Sequence, residues 1–406
     1  SDRPWVLDGA SVHVSMVAFD DGAEDAAMLD GVSVSQINSN LTAGVDLTAA
    51  LKLRANASLG FQGTIKRGPF DVTDAQGLTF LKGGGGNPHG RPNSDVVVPY
   101  LNGKDVTARC ASKWIVVFPN DKLQEDAARY EAPFAHAKTE LYPARQEARQ
   151  RKAREEWWVL WCPRPQMFAA LLPHERFIVT PRVAKHRLFS WARPPVHPDC
   201  QLIVFARSDD YFFGVLHSRV HEVWARAQGT QLRERESGFR YTPTTCFATF
   251  PFPWPPGREP QDDARQDAAL VKAIAEPARE LNELRENWLN PPEWTTEEVL
   301  EFPGSVDGPW ARYVHDPDHR GIGTVRYPRL VDNGVMPSQL KKRTLTNLYN
   351  EMPAWLRNAH AKLDDAVFAA YAASTDDPAW NGDIGDEEML EKLLELNLAR
   401  SAAAEA

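Results

Sequence analysis

The sequence predicts a mixed α/β protein with an α+β centre and an α-helical carboxyl-terminal region. Three observations support this prediction. An alternating apolar stretch at residues 12–19 indicates a strand. Between residues 61 and 256, short β-rich runs alternate with helical stretches and with loops rich in Gly and Pro. After FPFPWPPG at residues 250–257, apolar residues recur at spacings of three and four, as in amphipathic helices.

The first strand, at residues 12–19, is apolar on both faces, which is typical of a strand inside a sheet. A helix is predicted to follow the turn at residues 20–22. Fewer than 60 residues cannot complete a parallel α/β sheet. We therefore expect residues 1–55 to be the last part of a larger domain, with apolar surface left uncovered.

The central part, residues 56–258, is predicted to be an α+β domain. Its β-rich runs are followed by stretches with helical character, and the tract GGGGNPHGRPN is predicted to be a mobile loop. An exposed helix dense in Arg and Lys is expected over residues 138–154. The predicted strands lie at residues 95–99, 113–118, 177–180 and 202–206.

The last part, residues 259–406, is predicted to be helical. A helix over residues 262–289 should end at Pro291 and Pro292, because proline stops a helix. Glycine and proline between residues 303 and 337 predict a long irregular connection. Further helices are expected at about residues 338–349, 353–373 and 386–399.

Composition narrows the class of protein. The 406 residues are 43% hydrophobic and 25% charged, which is typical of globular proteins. No apolar run approaches the roughly 20 residues of a membrane span, so we expect a soluble cytoplasmic protein without a membrane partner. The four cysteines fit neither a zinc pattern nor a dense disulfide framework and are expected to be reduced.

The net charge of −9 is divided unevenly along the chain. Residues 1–53 hold 8 acids and 2 Lys or Arg, residues 54–258 hold 19 and 29, and residues 259–406 hold 28 and 15. The segments therefore carry −6, +10 and −13, which sum to −9. A basic centre between acidic flanks is expected when one part of a protein faces a polyanion, although a randomly patchy surface gives the same counts.

Several catalytic and metal-binding motifs can be excluded. Residues 290–293, Asn-Pro-Pro-Glu, end a helix and lack the aromatic fourth residue that stacks on an extruded base. His217 and His221 stand four apart on a predicted helix without a third ligand, which favours packed or hydrogen-bonded histidines over zinc. The stretch from Asp316 lacks the bidentate Glu of a calcium loop. No phosphate-binding loop, dinucleotide fingerprint or nucleophile elbow occurs, so the sequence predicts no catalytic, cofactor or metal residues.

The strongest functional signal is IVTPRVAKHRLFSW at residues 178–191, in which basic residues follow a short strand and alternate with aromatic ones. Such a segment can neutralise several phosphates, although it can also be a solvated basic loop. Weaker candidates for contacts with base edges and phosphates lie in FQGTIKRGPF and VPYLNGKDV. The predicted DNA-binding residues are Arg182, Lys185, His186 and Arg187, with Lys66, Arg67, Asn102 and Lys104 as the weaker set.

Taken in order, these blocks resemble the specificity half of class I adenine-specific DNA methyltransferases, the MmeI-like and TaqI-like groups of restriction-modification enzymes. The resemblance spans nearly the whole chain. It is carried by FQGTIKRGPF (61–70), VVVPYLNGKDV (96–106), WWVLWCPRPQM (157–167), IVTPRVAKHRLF (178–189), YTPTTCFATFPFPWP (241–255) and LTNLYNEMPAWLRNAHAKLDDAVFAAYA (345–372).

The resemblance implies that residues 8–22 are a late strand of the methyltransferase sheet, so that residues 1–55 are a remnant edge of the catalytic domain. The glycine-rich S-adenosylmethionine motif and the Asn-Pro-Pro-aromatic motif are not present in this sequence. The implied function is target recognition in an S-adenosylmethionine-dependent methyltransferase of restriction-modification or phage defence. The implied partners are double-stranded DNA and a catalytic domain or subunit, and activity is not expected from this chain alone.

Two other hypotheses remain at this stage. The chain could be a separately encoded specificity subunit that pairs with a catalytic chain. It could also be a non-enzymatic interaction module whose acidic tail docks another protein.

Overall fold

A computed structural model describes residues 3–7, 10–19, 21, 27–34, 37–38, 43–83, 86–119, 123–231, 238–261 and 266–405. Within these ranges, no helix is both long and apolar enough to cross a membrane.

The amino-terminal segment contains two short hairpins. Strand β1 (Arg3–Leu7) pairs antiparallel with β2 (Ala10–Val14), and β3 (Ala27–Leu29) pairs with β4 (Val32–Val34). The predicted strand therefore ends at Val14, and residues 15–19 are exposed and outside any strand. The prediction of a helix after the turn is wrong for residues 27–34, because a turn at Asp30 and Gly31, both at positive φ, reverses the chain there. Residues 22–26 lie outside the described residues.

Large apolar side chains of this segment face solvent, as predicted. The exposed fraction is 91% for Phe19, 68% for Met16 and 59% for Val17, and Trp5 and Met28 are about half exposed. Short hairpins of this kind are at most marginally stable alone, so this surface is suited to packing against another protein surface.

The central part contains the predicted strands, each shifted by at most a few residues. The strands are β5 (Gly60–Gln62), β6 (Asp71–Val72), β7 (Val97–Leu101), β8 (Trp114–Val116), β9 (Phe177–Pro181), β10 (Val183–Ala184), β11 (Ser190–Ala192), β12 (His197–Pro198), β13 (Leu202–Phe205), β14 (Thr230–Gln231) and β15 (Phe239–Arg240).

The helices of the central part are short. They are α1 (Asp74–Lys82), α2 (Gly103–Thr107), α3 (Gln124–Ala128), α4 (Glu131–Gln146), α5 (Arg151–Glu155), α6 (Pro165–Leu171), α7 (Asp210–His217) and α8 (Arg219–Gln228). The single helix predicted over residues 138–154 is divided into α4 and α5, and Arg145 of α4 is buried rather than exposed. Its guanidinium donates to the carbonyls of Lys66 and Val159, which explains why a cation lies inside.

Three small sheets organise the centre. The sheet here called the central sheet has the order β11-β9-β13-β5 and is antiparallel throughout. A second sheet has the order β12-β7-β8-β6, and a third, of two-residue strands, has the order β10-β15-β14. β9 ends at Pro181 and β10 begins at Val183, so the chain passes from the central sheet into the third sheet across one residue.

Strands β9 and β13 are buried on both faces. Ile178, Ile203 and Phe205 point into the largest core, which they share with α7, α8 and helices of the carboxyl-terminal part. Val179 and Val204 alternate with them and pack against α6 on the opposite face. Because alternate side chains of a strand point to opposite faces, this one sheet contributes residues to two cores.

The carboxyl-terminal part is not entirely helical. Strand β16 (Thr295–Ser305) pairs along its full length with β18 (Ile322–Asp332), and β17 (Val314–His315) joins the outer side of β18. The prediction of an irregular connection between residues 303 and 337 is thus wrong. The ribbon is anchored by Trp310, which is fully buried and donates a hydrogen bond to the Val97 carbonyl 3.0 Å away.

The remaining carboxyl-terminal elements are helices, as predicted. They are α9 (Gln266–Leu289), α10 (Pro337–Leu340), α11 (Leu345–Glu351), α12 (Ala354–Thr375) and α13 (Asp386–Glu405). Residues 262–265 of the predicted first helix lie outside the described residues. Helix α9 ends one residue before Asn290, so residues 290–293 follow a helix stop as expected.

The last helix closes the largest core against the beginning of the chain. Asn397 of α13 is fully buried, and its Oδ1 accepts from the Leu51 amide at 2.9 Å. Its Nδ2 donates to the carbonyls of Leu51 and Thr249 at 2.8 and 2.6 Å. One side chain thus satisfies three backbone groups on two residues, Leu51 and Thr249, that lie far apart in sequence.

Histidines inside the largest core are neutral. His221 accepts from the Tyr241 hydroxyl at 3.0 Å, and His360 shares a 2.8 Å hydrogen bond with Tyr349. Burial lowers the pKa of His221 to about 3 and that of His360 to about 4, and it holds the pKa of His217 well below its usual range. As the pH falls, the unfolded chain therefore protonates these histidines at a higher pH than the folded chain does.

We predict that the free energy of unfolding falls as the pH is lowered from about 6.5 towards 4. In this window the unfolded chain binds protons at its histidines, whereas folded His360 takes one only near pH 4. The substitution His360→Gln removes one such group, so the decline should be shallower in the variant. Urea unfolding at several pH values measures this difference, and an equally steep decline in both proteins would contradict it.

Candidate nucleic-acid interface

The basic segment after β9 lies at one end of the central sheet. The Arg182 amide donates to the Gln201 carbonyl at 2.7 Å, and the Arg182 carbonyl accepts from the Tyr241 amide at 2.8 Å. The backbone is therefore fixed on both sides, while the Arg182 side chain is half-buried and forms no ion pair with any residue that the structure describes. Its charge is available to a ligand.

The side chains of Lys185 and His186 contact Asn350 of α11, in the carboxyl-terminal part. The Lys185 Nζ lies 2.7 Å from Asn350 Oδ1, and the His186 Nε2 lies 2.9 Å from the same oxygen. Because Asn350 is neutral, Lys185 keeps an uncompensated charge, and its side chain is exposed. Both residues remain accessible at the same side of the molecule as α11.

Arg187 does not face solvent, so its prediction as a phosphate contact is corrected. It is 6% exposed, and its Nη1 donates to Thr180 Oγ1 at 2.9 Å and to the Pro181 carbonyl at 2.5 Å. The guanidinium also lies over the rings of Phe239 and Tyr241, 4.7 and 5.1 Å from their centroids. Burial lowers its pKa to about 10, so it remains charged at neutral pH. Arg187 holds the crossover from the central sheet to the third sheet in place.

The weaker candidates have different surroundings. Lys66 forms an ion pair with Asp71, which also binds Lys113 at 2.7 Å. The Lys66 Nζ lies 4.8 Å from the Tyr100 ring centroid. Arg67 is exposed and lies over the Trp161 ring, 4.3 Å from its centroid.

Asn102 is the N-cap of α2, and this role occupies its acceptor oxygen. Its Oδ1 accepts from the amides of Lys104 and Asp105 at 2.8 and 3.3 Å, while the Asp105 side chain accepts from the Asn102 amide in a capping box. Its short side chain is thus committed to the fold. Lys104, two residues further on, is exposed.

Five loops converge where Arg182 lies. Isolated β-bridges join Thr64 to Asp199 and Ile65 to Cys162. The Asp199 amide donates to the Leu101 carbonyl at 2.9 Å, which brings the loop before α2 to the same place. The segments around residues 62–67, 101–104, 161–164, 181–182 and 199–201 therefore meet at one end of the central sheet.

These converging segments carry seven partly or fully exposed side chains, which together we call the junction surface. Its members are Gln62, Arg67, Lys104, Trp161, Arg164, Arg182 and Gln201. Arg164 Nη2 lies 3.5 Å from Gln62 Oε1. Gln62 Nε2 donates to the carbonyl of Cys200, the residue before Gln201, at 3.0 Å. A cavity of about 380 Å³ opens beside Gln62, Trp161 and Arg164.

The acids at this end of the sheet are turned inward. Asp199 is 6% exposed, and it accepts from the Tyr100 hydroxyl at 2.6 Å and from the Gln201 amide at 2.9 Å. That arrangement raises the pKa of Tyr100, through burial first and the Asp199 hydrogen bond second. Asp105 is buried in the capping box. Four of the seven members of the junction surface are cations, and the neighbouring Asp199 and Asp105 are buried, which suits contact with a polyanion.

Gln62, Trp161, Arg164 and Gln201 were not predicted from the sequence. None of them lies in a charged cluster, and each reaches the junction surface only through sheet pairing between segments distant in sequence. The available signal was their position directly at a strand end or in a Pro-rich loop, where functional side chains are often found.

The predicted histidine pair is structural. Ser218, in an extended conformation, separates α7 from α8, so His217 and His221 do not share one face of a single helix. His217 Nε2 instead faces Arg285 at 2.7 Å, and His221 faces Tyr241. Within the described ranges no three His, Cys, Asp or Glu side chains are grouped to hold a metal ion.

The two arginines of the basic segment are predicted to respond differently to substitution. Arg187→Ala removes a buried side chain together with its hydrogen bonds to Thr180 and Pro181, and should lower the free energy of unfolding by roughly 2–4 kcal/mol. Arg182→Ala, at a solvent-facing position, should change it by no more than about 0.5 kcal/mol. Urea denaturation of both variants tests this, and equal losses would contradict the placement of Arg187 inside.

Comparison with known proteins adds to this geometry. No curated protein matches the sequence of the chain. One solved structure with a similar fold is described as the Type IIL restriction-modification enzyme MmeI in complex with DNA, with 18% sequence identity and a TM-score of 0.59. The similarity covers 91% of this chain and 39% of that one, so the chain spans about two fifths of the length of MmeI.

A family match covers the part of the chain that contains most of the junction surface. Residues 93–254 match the family described as MmeI, target recognition domain. This range lies inside the central part predicted at residues 56–258, and it includes Lys104, Trp161, Arg164, Arg182 and Gln201. The resemblance inferred from the sequence is confirmed over this range, which is similar to the MmeI target recognition domain.

Proposed function

We propose that the chain recognises a DNA sequence on behalf of an S-adenosylmethionine-dependent adenine-specific DNA methyltransferase of restriction-modification or phage defence. The observation that carries this proposal is that the range similar to the MmeI target recognition domain contains three of the four cations of the junction surface, Lys104, Arg164 and Arg182. The related MmeI structure is of a complex with DNA, which supports double-stranded DNA as the ligand.

The junction surface offers two kinds of contact. We assign the role of phosphate contacts, which give affinity without reading sequence, to Arg182, Lys104 and the neighbouring Lys185. Arg164 and Gln201 carry donors, and Gln201 also an acceptor, of the type that read base edges in the major groove. Trp161 and Arg67 form a flat stacked pair, which suits contact with a sugar or a base.

Methyl transfer is assigned to a catalytic domain or subunit that pairs with this chain. The described residues do not fit S-adenosylmethionine: Gly83 lies at the carboxyl-terminal cap of α1, whereas a cofactor loop of this kind follows a strand and precedes a helix. We therefore assign no residue of the chain to cofactor binding or catalysis. The exposed Trp5, Met16, Val17 and Phe19 provide an apolar surface for the catalytic partner.

This apolar surface is equally consistent with a fused catalytic domain and with a separately encoded one. The remaining alternative, a protein-interaction module without DNA binding, would use the acidic carboxyl-terminal part. Duplex binding at low salt separates that alternative from the proposal, because a module of this kind has no affinity for DNA.

We predict that the double variant Arg182→Ala, Lys185→Ala binds all duplex sequences more weakly than the unmodified chain. Each lost phosphate contact should reduce the slope of log K against log salt by roughly one unit, so the double variant should lose about two. The measurement is a salt titration of duplex binding by fluorescence anisotropy. Arg187 is left unchanged because it is buried.

The matched control is Arg320→Ala. Arg320 is exposed but pairs with Asp318 in its own turn, away from the junction surface. Its salt slope should equal that of the unmodified chain. Identical slopes for the double variant and the unmodified chain would mean that the basic segment does not face DNA.

Titration of the chain with S-adenosylmethionine should show no binding by calorimetry, because no strand of the described residues leads into a glycine-rich loop. Binding with micromolar or tighter affinity would overturn the assignment of the cofactor to the partner. A catalytically complete methyltransferase, measured under the same conditions, serves as the positive control.

A further inference from the structure

A second charged cavity lies at the opposite end of the central sheet from the junction surface. It has a volume of about 610 Å³ and is lined by residues that include Arg54, Asn56, Phe252, Arg258 and Arg400. The position follows from the pairing of β5: Gly60, at its start, pairs with Phe205, whereas Gln62, at its end, belongs to the junction surface. The cavity is thus separate from the proposed DNA-binding surface.

Three guanidinium groups from distant parts of the chain meet at this cavity. Arg54 and Arg258 are exposed, and no described carboxylate forms an ion pair with either. Arg400 of α13 donates to the backbone carbonyls of Phe252 and Pro253, and burial lowers its pKa. Among the described residues that line the cavity, none is Asp or Glu. These guanidinium groups therefore favour an anion.

Asn56, which also lines the cavity, has a side-chain oxygen without a hydrogen-bond partner among the described residues. It is 2% exposed, and its Nδ2 donates to the carbonyls of Phe247 and Phe250 at 2.9 and 2.8 Å. These bonds fix the orientation of the amide and leave Oδ1 buried without a hydrogen-bond partner. A buried acceptor of this kind is costly unless a donor reaches it. Asn56 lines the cavity, so a ligand that displaces the atoms covering Oδ1 and donates an N–H or O–H would satisfy it.

The rest of the wall is apolar. Leu53, Phe252, Pro255 and Pro256 line the cavity, and the two prolines are its accessible part because Leu53 and Phe252 are 7% and 1% exposed. Proline rings offer a flat apolar surface against which a planar ring can pack. The cavity therefore combines an anion site, a single unpaired acceptor and a flat apolar wall.

We propose that this cavity binds a phosphate-bearing nucleotide, either free or as part of a DNA strand. The guanidinium groups would hold the phosphate, the ring would pack on the apolar wall, and an amino or hydroxyl group would donate to Asn56. The inference concerns a different surface from the proposed function and does not depend on it.

The test is calorimetric titration of the full chain with AMP, adenosine and inorganic pyrophosphate. AMP should bind more tightly than adenosine, which lacks the phosphate, and more tightly than pyrophosphate, which lacks the ring. The double variant Arg54→Gln, Arg258→Gln should weaken AMP binding at least tenfold. Both residues are exposed, so the variant should keep its unfolding midpoint, and Arg320→Gln should bind AMP like the unmodified chain.

A second arm distinguishes the two sources of the nucleotide. If AMP does not bind but the double variant weakens duplex binding and lowers its salt slope, the phosphate belongs to DNA. If AMP binds and the double variant leaves duplex binding unchanged, the ligand is a free nucleotide. If the double variant alters neither AMP binding nor duplex binding, the inference is wrong, whatever the outcome for Arg182 and Lys185.

Discussion

The structure depends on the pairing of β9 with β13, because these two short strands form the shared wall of two cores. Residues from Leu202 to Phe205 are fully buried, as are Ile178 and Val179. Two buried arginines fix the elements around this wall. Arg187 donates to the Pro181 carbonyl at the end of β9 and so links this wall to the third sheet. Arg285 of α9 donates to the Phe189 carbonyl at 2.8 Å and lies 2.7 Å from His217 Nε2. Neither guanidinium has a carboxylate partner among its described contacts, so backbone carbonyls and aromatic rings offset the cost of burying the charge.

Local pattern was enough to predict the strands of the centre and the long carboxyl-terminal helices. The runs ending near Thr180 and Ala206 are short, β-branched and bounded by turn residues, and helix α9 has a clear periodicity with a proline stop. The β16–β18 ribbon was missed because its sequence mixes Glu, Gly and Pro with apolar residues, and its pairing joins residues up to 37 positions apart, as Thr295 and Asp332 show. Tertiary context overrides local propensity in such a ribbon.

Only some members of the candidate site were predicted from the sequence, because the sequence does not show which side chains are buried. A basic segment in the sequence shows that cations are present but not which of them are solvated. Arg182 and Arg187 look equivalent in the sequence, yet one follows β9 at the rim and the other packs under Phe239. Gln62 and Gln201 became candidates only when sheet pairing brought their loops together. The resemblance to a family indicated the correct domain, whereas the assignment of individual side chains required the geometry.

The contact between Asn397 and Leu51 affects how the chain folds during its synthesis. Leu51 is synthesised almost 350 residues before its partner, and the core that contains Leu47 is not closed until α13 has been added. Closure of this core therefore needs contacts of high sequence separation, which form slowly because a long loop must close first. During translation, at about 5–20 residues per second, the apolar faces of α7 and α9 are made roughly 4 to 40 seconds before α12 and α13, which cover them, are complete. Until then these faces are exposed to solvent and to other chains.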